Sequence, residues 1–165
     1  MAAQVAPIDV ALRFLAQRPR SEQEVRRRLR RAGVAEAATD AVITQLRQHA
    51  LVDDTAFAAY WVEQRQTFKP RGTRLLRAEL RQHGIEATAA EAAAETTAAS
   101  AVDDAYRAAS KRARHLTTAD ERAFKTRLGQ FLARRGFDWD TVLVAVNRLW
   151  EEVSTSSDTD PAPTA

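Results

Sequence analysis

One short pattern occurs three times in this chain and constrains the fold more than any other feature. It consists of an apolar residue, a leucine four positions later, a glycine four positions after that, and then a large apolar residue. The copies occupy residues 25–34, 76–85 and 128–137, so successive glycines lie 51 and 52 residues apart. Apolar residues spaced four apart mark one face of a helix, and the glycine allows the left-handed backbone that ends it. A period of this length is typical of helical repeat arrays.

The spacing therefore predicts an all-α fold of three tandem three-helix repeats that form an elongated, curved helical array. In each repeat the pattern forms the end of the second helix. Ser21 and Glu24 have the Ser-x-x-Glu form of a capping box, which places the start of that helix in the first repeat. The predicted organisation is a disordered N-terminus at residues 1–7, repeats at 8–51, 52–101 and 102–152, and a disordered tail at 153–165.

Composition excludes several classes of site. The chain has no cysteine, and its three histidines lie far apart in sequence, so we expect neither a disulfide nor a bound metal. No glycine-rich phosphate loop or nucleophile elbow is present, so we expect no cofactor and no enzymatic activity. No stretch approaches 18 apolar residues and the first seven residues do not resemble a secretory signal, which predicts a cytoplasmic protein without a membrane span.

The distribution of arginine is the pattern that points to function. Basic residues number 25 against 22 acidic ones, but residues 13–31 hold eight arginines and only two acidic residues, and residues 65–81 hold six basic residues and only one acidic residue. Positions three before and one after the core leucine are arginine in both repeats, whereas the third repeat has Gly129 and Ala133 there. Such positions lie together beside the buried seam of a helix. The predicted partner-binding residues are Arg26, Arg27, Arg30, Arg31, Arg74, Arg77 and Arg81.

Two interpretations of these arginines are possible, and composition alone does not decide between them. They form one basic track if neighbouring repeats stack in the same orientation, and a guanidinium suits bidentate contact with carboxylate or phosphate. Alternatively, they are a solvated face whose members pair with Glu22, Glu24 and Glu79 and contribute little to stability.

Four longer segments resemble the RecX family of bacterial recombination regulators. They are Arg-Pro-Arg-Ser-Glu-x-Glu-Val (18–25), Leu-Val-Asp-Asp-x-x-Phe-Ala (51–58), Gly-x-x-x-Leu-x-x-Glu-Leu-x-x-x-Gly-Ile (72–85) and Phe-Leu-x-x-Arg-Gly-Phe (131–137). The resemblance covers about residues 8–152. It implies a cytoplasmic modulator of the RecA recombinase that lies in the groove of the RecA filament on single-stranded DNA. Such a protein inhibits strand exchange, ATP hydrolysis and coprotease activity, and so modulates DNA repair, recombination and the SOS response.

Two other functions fit the residues. The helices around Gly33 or Gly84 resemble a helix-turn-helix, which would bind DNA directly and without RecA. A helical scaffold for another protein would show neither property. We expect a monomer in each case, and direct contact with DNA remains open.

Overall fold

The structure, a computed structural model, describes residues 6–116 and 120–157. In those ranges the chain forms nine α-helices, a short 3₁₀ helix at Ala98–Ser100 between the sixth and seventh, and no strand. The helices are α1 (Pro7–Leu15), α2 (Glu22–Arg31), α3 (Glu36–Gln48), α4 (Asp54–Phe68), α5 (Thr73–Gln82), α6 (Ala87–Glu95), α7 (Ala101–Arg114), α8 (Glu121–Arg134) and α9 (Trp139–Ser157).

The three repeated patterns form the same helix end. After α2, Gly33 has φ of +78°, its N–H donates to Arg30, and the N–H of Val34 donates to the carbonyl of Leu29 at 3.1 Å. These are the two hydrogen bonds of a Schellman motif. The turns after α5 and α8 repeat both bonds, with glycine φ values of +84° and +88°. The predicted helix ends at the three glycines are therefore confirmed.

The first and third repeats each enclose an apolar core. In the first, α1, α2 and α3 pack against one another around buried side chains that include Val25, Leu29 and Ile43. In the third, α7, α8 and α9 enclose a larger core that includes Phe124 and Leu128. Burial of these side chains supplies the main stabilisation of each set of helices. The all-α fold built from three-helix repeats is confirmed.

The helices of the middle repeat are divided between two compact units. The first unit consists of Met1–Val62 and Ala78–Ala93, and the second of Glu63–Arg77 and Ala94–Ala165. The division therefore passes through α4 and α5. Each unit contains one complete outer repeat together with part of the middle repeat.

Two predicted boundaries are wrong at their inner edges. The disordered tail was expected from residue 153, but α9 continues to Ser157. It continues because Val153 packs against the core of the third repeat, and the Ser154 hydroxyl donates to the carbonyl of Trp150 at 2.9 Å. The N-terminal segment was expected to include Pro7, which is instead the first residue of α1. The remaining residues of both segments, 1–5 and 158–165, lie outside the described residues.

Candidate partner-binding surface

Helix α2 places its arginines beside a fully buried seam. Ser21 caps the helix by accepting the N–H of Glu24, and the Glu24 side chain accepts the N–H of Ser21, so the predicted capping box is confirmed. Val25 and Leu29 are completely buried. Because helical neighbours lie at three and four positions, Arg26 and Arg30 follow one another along the outer edge of this seam.

Arg26 is tied to the first repeat. Its Nε donates to Glu22 Oε1 at 2.9 Å, and its Nη1 donates to Asp40 on α3. These hydrogen bonds, that to Asp40 first, raise the pKa of Arg26. Only 26% of the side chain is exposed. Arg26 therefore fixes α2 to α3, and its charge is already balanced by two carboxylates.

Arg27 connects α2 to the turn that follows α5. Its Nη2 donates to the carbonyl of Gln82 at 3.0 Å, and the same nitrogen contacts Gln23. The hydroxyl of Ser21 donates to the carbonyl of His83 at 2.6 Å. The arginine thus takes part in the packing of the α5 turn on the start of α2, inside the first unit.

Arg30, Arg31 and Arg81 are exposed, as is Arg27, but these three make none of the side-chain hydrogen bonds that hold Arg27. All three lie in the last turn of a helix, where a positive charge is favoured by the helix dipole. In the part of the chain that the structure describes, no carboxylate lies within ion-pair distance of any of them. Their guanidinium groups are available to an acidic partner.

Arg74 and Arg77 belong to the second unit and make contacts there. Arg74 Nη2 donates to the carbonyl of Ala133, near the end of α8, at 2.7 Å. Arg77 is half-buried and lines a depression together with Thr141 and Asp138. The predicted residues thus divide between the two units, and their alignment into one continuous track stays a prediction.

Two arginines that sequence reasoning missed lie close to the predicted ones. Arg28 is exposed on α2, and Arg20 lies over the ring of Phe14, with its guanidinium carbon 3.9 Å from the ring centroid. Arg28 corresponds to Glu79 in the second repeat, so the comparison of repeats did not single it out. Its position three residues before Arg31 was the available signal.

Two pairs of adjacent aspartates, Asp53/Asp54 and Asp103/Asp104, lie at or near the starts of α4 and α7 and have structural roles. Asp53 accepts the N–H groups of Thr55 and Ala56 at the start of α4, as expected of a helix cap. Asp104 is buried and accepts hydrogen bonds from Ser100 and Gln66. No group of three potential metal ligands occurs among the described residues. Both carboxylates therefore stabilise the fold.

Three family models match the chain in the order of its repeats. They describe the first, second and third three-helix domains of RecX and match residues 8–46, 53–93 and 101–146. The chain belongs to the RecX family. Relatives named regulatory protein RecX include one from Geobacillus thermodenitrificans, 35% identical over 137 residues, and one from Amycolatopsis mediterranei, 35% identical over 130 residues.

The alignments differ in how much of each relative they span. They cover 82% of this chain but 51% of the Geobacillus protein, and 78% of this chain with 74% of the Amycolatopsis protein. The chain thus spans about half the length of the first of these relatives.

Solved structures show the same fold. The crystal structure of RecX from Lactobacillus salivarius has a TM-score of 0.75 at 22% identity, over 90% of this chain and 95% of that one. Among the described helices, none is long and apolar enough to cross a membrane.

Proposed function

We propose that this protein binds the RecA nucleoprotein filament on single-stranded DNA and inhibits its recombinase, ATPase and coprotease activities. The observation that carries the proposal is the exposed arginine set at the ends of α2 and α5. Arg30 and Arg81 occupy equivalent repeat positions, and among the described residues neither has a carboxylate partner. Guanidinium groups held this way on helices favour a rigid, acidic surface.

The helix-turn-helix alternative receives less support from the helices that would read DNA. In such a motif the helix after the turn enters the major groove. Here that helix is α3 or α6. Helix α3 carries Glu36, Asp40 and a single arginine, Arg47, which is paired with Glu22. Helix α6 has no basic residue. Neither helix offers the cationic side chains that groove binding requires.

In this proposal the protein acts by stoichiometric or capping contact and carries out no chemistry of its own. It acts as a monomer in the cytoplasm, where RecA filaments assemble during DNA repair, recombination and the SOS response. The contact depends mainly on the first two repeats, because the third has Gly129 and Ala133 where the others have arginine.

A titration of RecA's ATPase on single-stranded DNA tests the proposal. Adding the protein at or below equimolar amounts should suppress the rate, and the Arg30→Gln/Arg81→Gln variant should need roughly a hundredfold more protein, because two lost charge-assisted contacts of about 1.5 kcal/mol each weaken binding by about 3 kcal/mol.

The matched control is Arg122→Gln/Arg127→Gln. It removes two exposed arginines of α8 that have no ion-pair partner among the described residues, and it should inhibit like the unchanged protein. Unaltered ATPase at equimolar protein would contradict inhibition of RecA. Strong duplex binding without RecA, with base preference, would favour the DNA-binding alternative.

A further inference from the structure

Four arginines and one aromatic ring line a depression on the first repeat. It lies between α1 and α2 and has a volume of about 280 Å³. Phe14 forms one wall, and the remaining lining residues are Arg20, Glu24, Arg27, Arg28 and Arg31. Four cations and one carboxylate therefore face the same small space, which is a strong excess of positive charge.

The single carboxylate in the depression is already engaged. Glu24 accepts a hydrogen bond from Arg18 Nη2 at 2.6 Å and one from the Ser21 N–H at 3.1 Å, while His83 Nδ1 lies 3.7 Å away. Its nearest contact with a lining arginine is 3.9 Å, to Arg20. Its negative charge is therefore balanced mainly by groups other than the four arginines that line the depression.

Arg20 is held in place without being neutralised. Its side chain is only 12% exposed and stacks on Phe14, and its buried Nε has no hydrogen-bond acceptor among the described residues. Burial, together with the neighbouring charge of Arg18, lowers the pKa of Arg20. A buried and weakly paired cation is costly, and the charge of an anion in the depression would offset that cost.

The helix dipole accounts for only part of this arrangement. Arg28 and Arg31 lie in the last turn of α2, where any cation is favoured. That effect explains neither the burial of Arg20, which precedes the helix, nor the convergence of all four side chains on one concave space. An anion bound in the depression would contact these converging side chains.

We propose that this depression binds a phosphate group. A carboxylate carries one charge and is satisfied by one bidentate arginine, whereas a phosphate offers more charge and three or more acceptor oxygens. Several converging guanidinium groups match the phosphate. The group can come from a nucleic-acid backbone or from a free nucleotide or pyrophosphate. The site operates in the protein alone, so the proposal does not depend on RecA.

Calorimetric titration of the full chain with pyrophosphate and with an oligothymidylate, at low salt, tests this site. We expect at least one of the two to bind, and the Arg28→Gln/Arg31→Gln variant to bind it about tenfold more weakly or worse, as expected for two lost charge-assisted contacts. The Arg122→Gln/Arg127→Gln control removes the same charge from α8 and should change the affinity by less than about twofold. Tighter binding of the oligonucleotide identifies nucleic acid as the source, and tighter binding of pyrophosphate identifies a free phosphate compound.

Three results would overturn the site. They are no binding of either probe, an equal loss in the control variant, and tighter binding of hexaglutamate than of both phosphate probes. Circular dichroism melts of both variants ensure that a loss reflects the missing side chains, because exposed arginines should be replaceable without unfolding. A separate failure of the RecA titration would leave the phosphate result intact, since Arg30 and Arg81 do not line the depression.

Discussion

Each compact unit contains one joint between successive repeats, and the two joints use the same turn with different contacts. In the first unit the turn at Gly84 packs against the start of α2. In the second, the turn at Gly136 packs against the start of α5, where the Gly72 N–H donates to the carbonyl of Arg135 at 2.9 Å. The same turn thus forms both joints, but the residues at equivalent positions determine how closely the two segments of the chain approach each other.

The first joint is held by side-chain hydrogen bonds, whereas the second combines side-chain hydrogen bonds with one between backbone groups. A methyl group placed on Gly84 would lie 2.5 Å from the Cβ of Gln23, an atom whose position is fixed by the backbone of α2. A methyl group on Gly72 would lie 2.2 Å from the backbone carbon and oxygen of Gly136, which cannot yield. The comparison indicates that both joints depend on glycine: the first needs it at the turn alone, whereas the second needs it on both sides, at Gly72 and at Gly136.

The largest effect is expected from Gly136→Ala. The new methyl group would lie 2.4 Å from the Cβ of Leu75 and would force a left-handed alanine at φ of +88°. Overpacking and backbone strain together should reduce the free energy of unfolding by roughly 3 kcal/mol or more. Gly33→Ala is the control, because its φ is +78° but no atom lies within 4 Å, so it should cost about 1–2 kcal/mol. Equal losses in urea denaturation would show that close packing at the second joint is unimportant.

A smaller loss, about 2 kcal/mol, is expected from Glu24→Gln. The carboxylate is 13% exposed and accepts hydrogen bonds from Arg18 and Ser21, so the amide would leave a buried cation less well satisfied. Hydrogen exchange should be faster in α2 and unchanged in α8, because only the first joint contains this residue. Glu121→Gln, whose carboxylate is 55% exposed and pairs with Lys125, should have almost no effect.

The same carboxylate makes the first joint sensitive to acid. Burial acts to raise the pKa of Glu24, but the His83 imidazole 3.7 Å away and hydrogen bonds from Arg18 and the Ser21 N–H outweigh it and lower the pKa from 4.5 to about 2. Between those values the unfolded chain binds more protons, so the stabilisation is complete above pH 4.5 and is lost as the pH falls towards 2. Denaturation midpoints measured across this range should fall less steeply in Glu24→Gln. Parallel curves would contradict the assignment.

The smallest expected effect is the difference in stability between losing a helix cap alone and losing a cap together with a contact at the joint. Ser21→Ala removes the cap of α2 and the hydrogen bond to His83, while Asp120→Ala removes only the cap of α8, which accepts the N–H of Ala123 at 2.8 Å. We expect losses of roughly 2 and 1 kcal/mol, respectively. Thermal unfolding of the two variants measures the difference. If the two losses are the same, the bond to His83 contributes nothing to the joint.

Local signals predicted the helix ends well but some helix starts poorly. The three glycines and the Ser21 capping box depend on hydrogen bonds within a few residues, which sequence spacing reveals. By contrast, Thr88 and Glu91 also have the Ser/Thr-x-x-Glu spacing of a capping box, yet Thr88 lies inside α6, and Glu86 accepts its N–H at 2.9 Å. Thr118 and Glu121 have the same spacing and would start α8 at Thr118, which lies outside the described residues; Asp120 caps that helix. Competing caps two residues apart cannot be ranked from composition alone.

The sequence predicted where the arginines of the candidate surface lie on their helices, but not which groups within the protein they contact. Spacing correctly placed the arginines at the edge of the α2 seam. It could not show that Arg26 pairs with Asp40, that Arg27 reaches the carbonyl of Gln82, or that Arg74 reaches that of Ala133. Those partners lie 14, 55 and 59 residues away along the chain. Arg20 and Phe14 were likewise unconnected until folding brought them together.

The sequence by itself determined the helical class, the period of the repeat and the left-handed turns, because each follows from contacts within one or two helical turns. Only the tertiary structure decided which guanidinium groups are neutralised and which remain exposed, and which glycines face backbone rather than solvent. A charge on a helix surface acquires its partner from another helix, and the distance between two chain segments depends on how the helices pack.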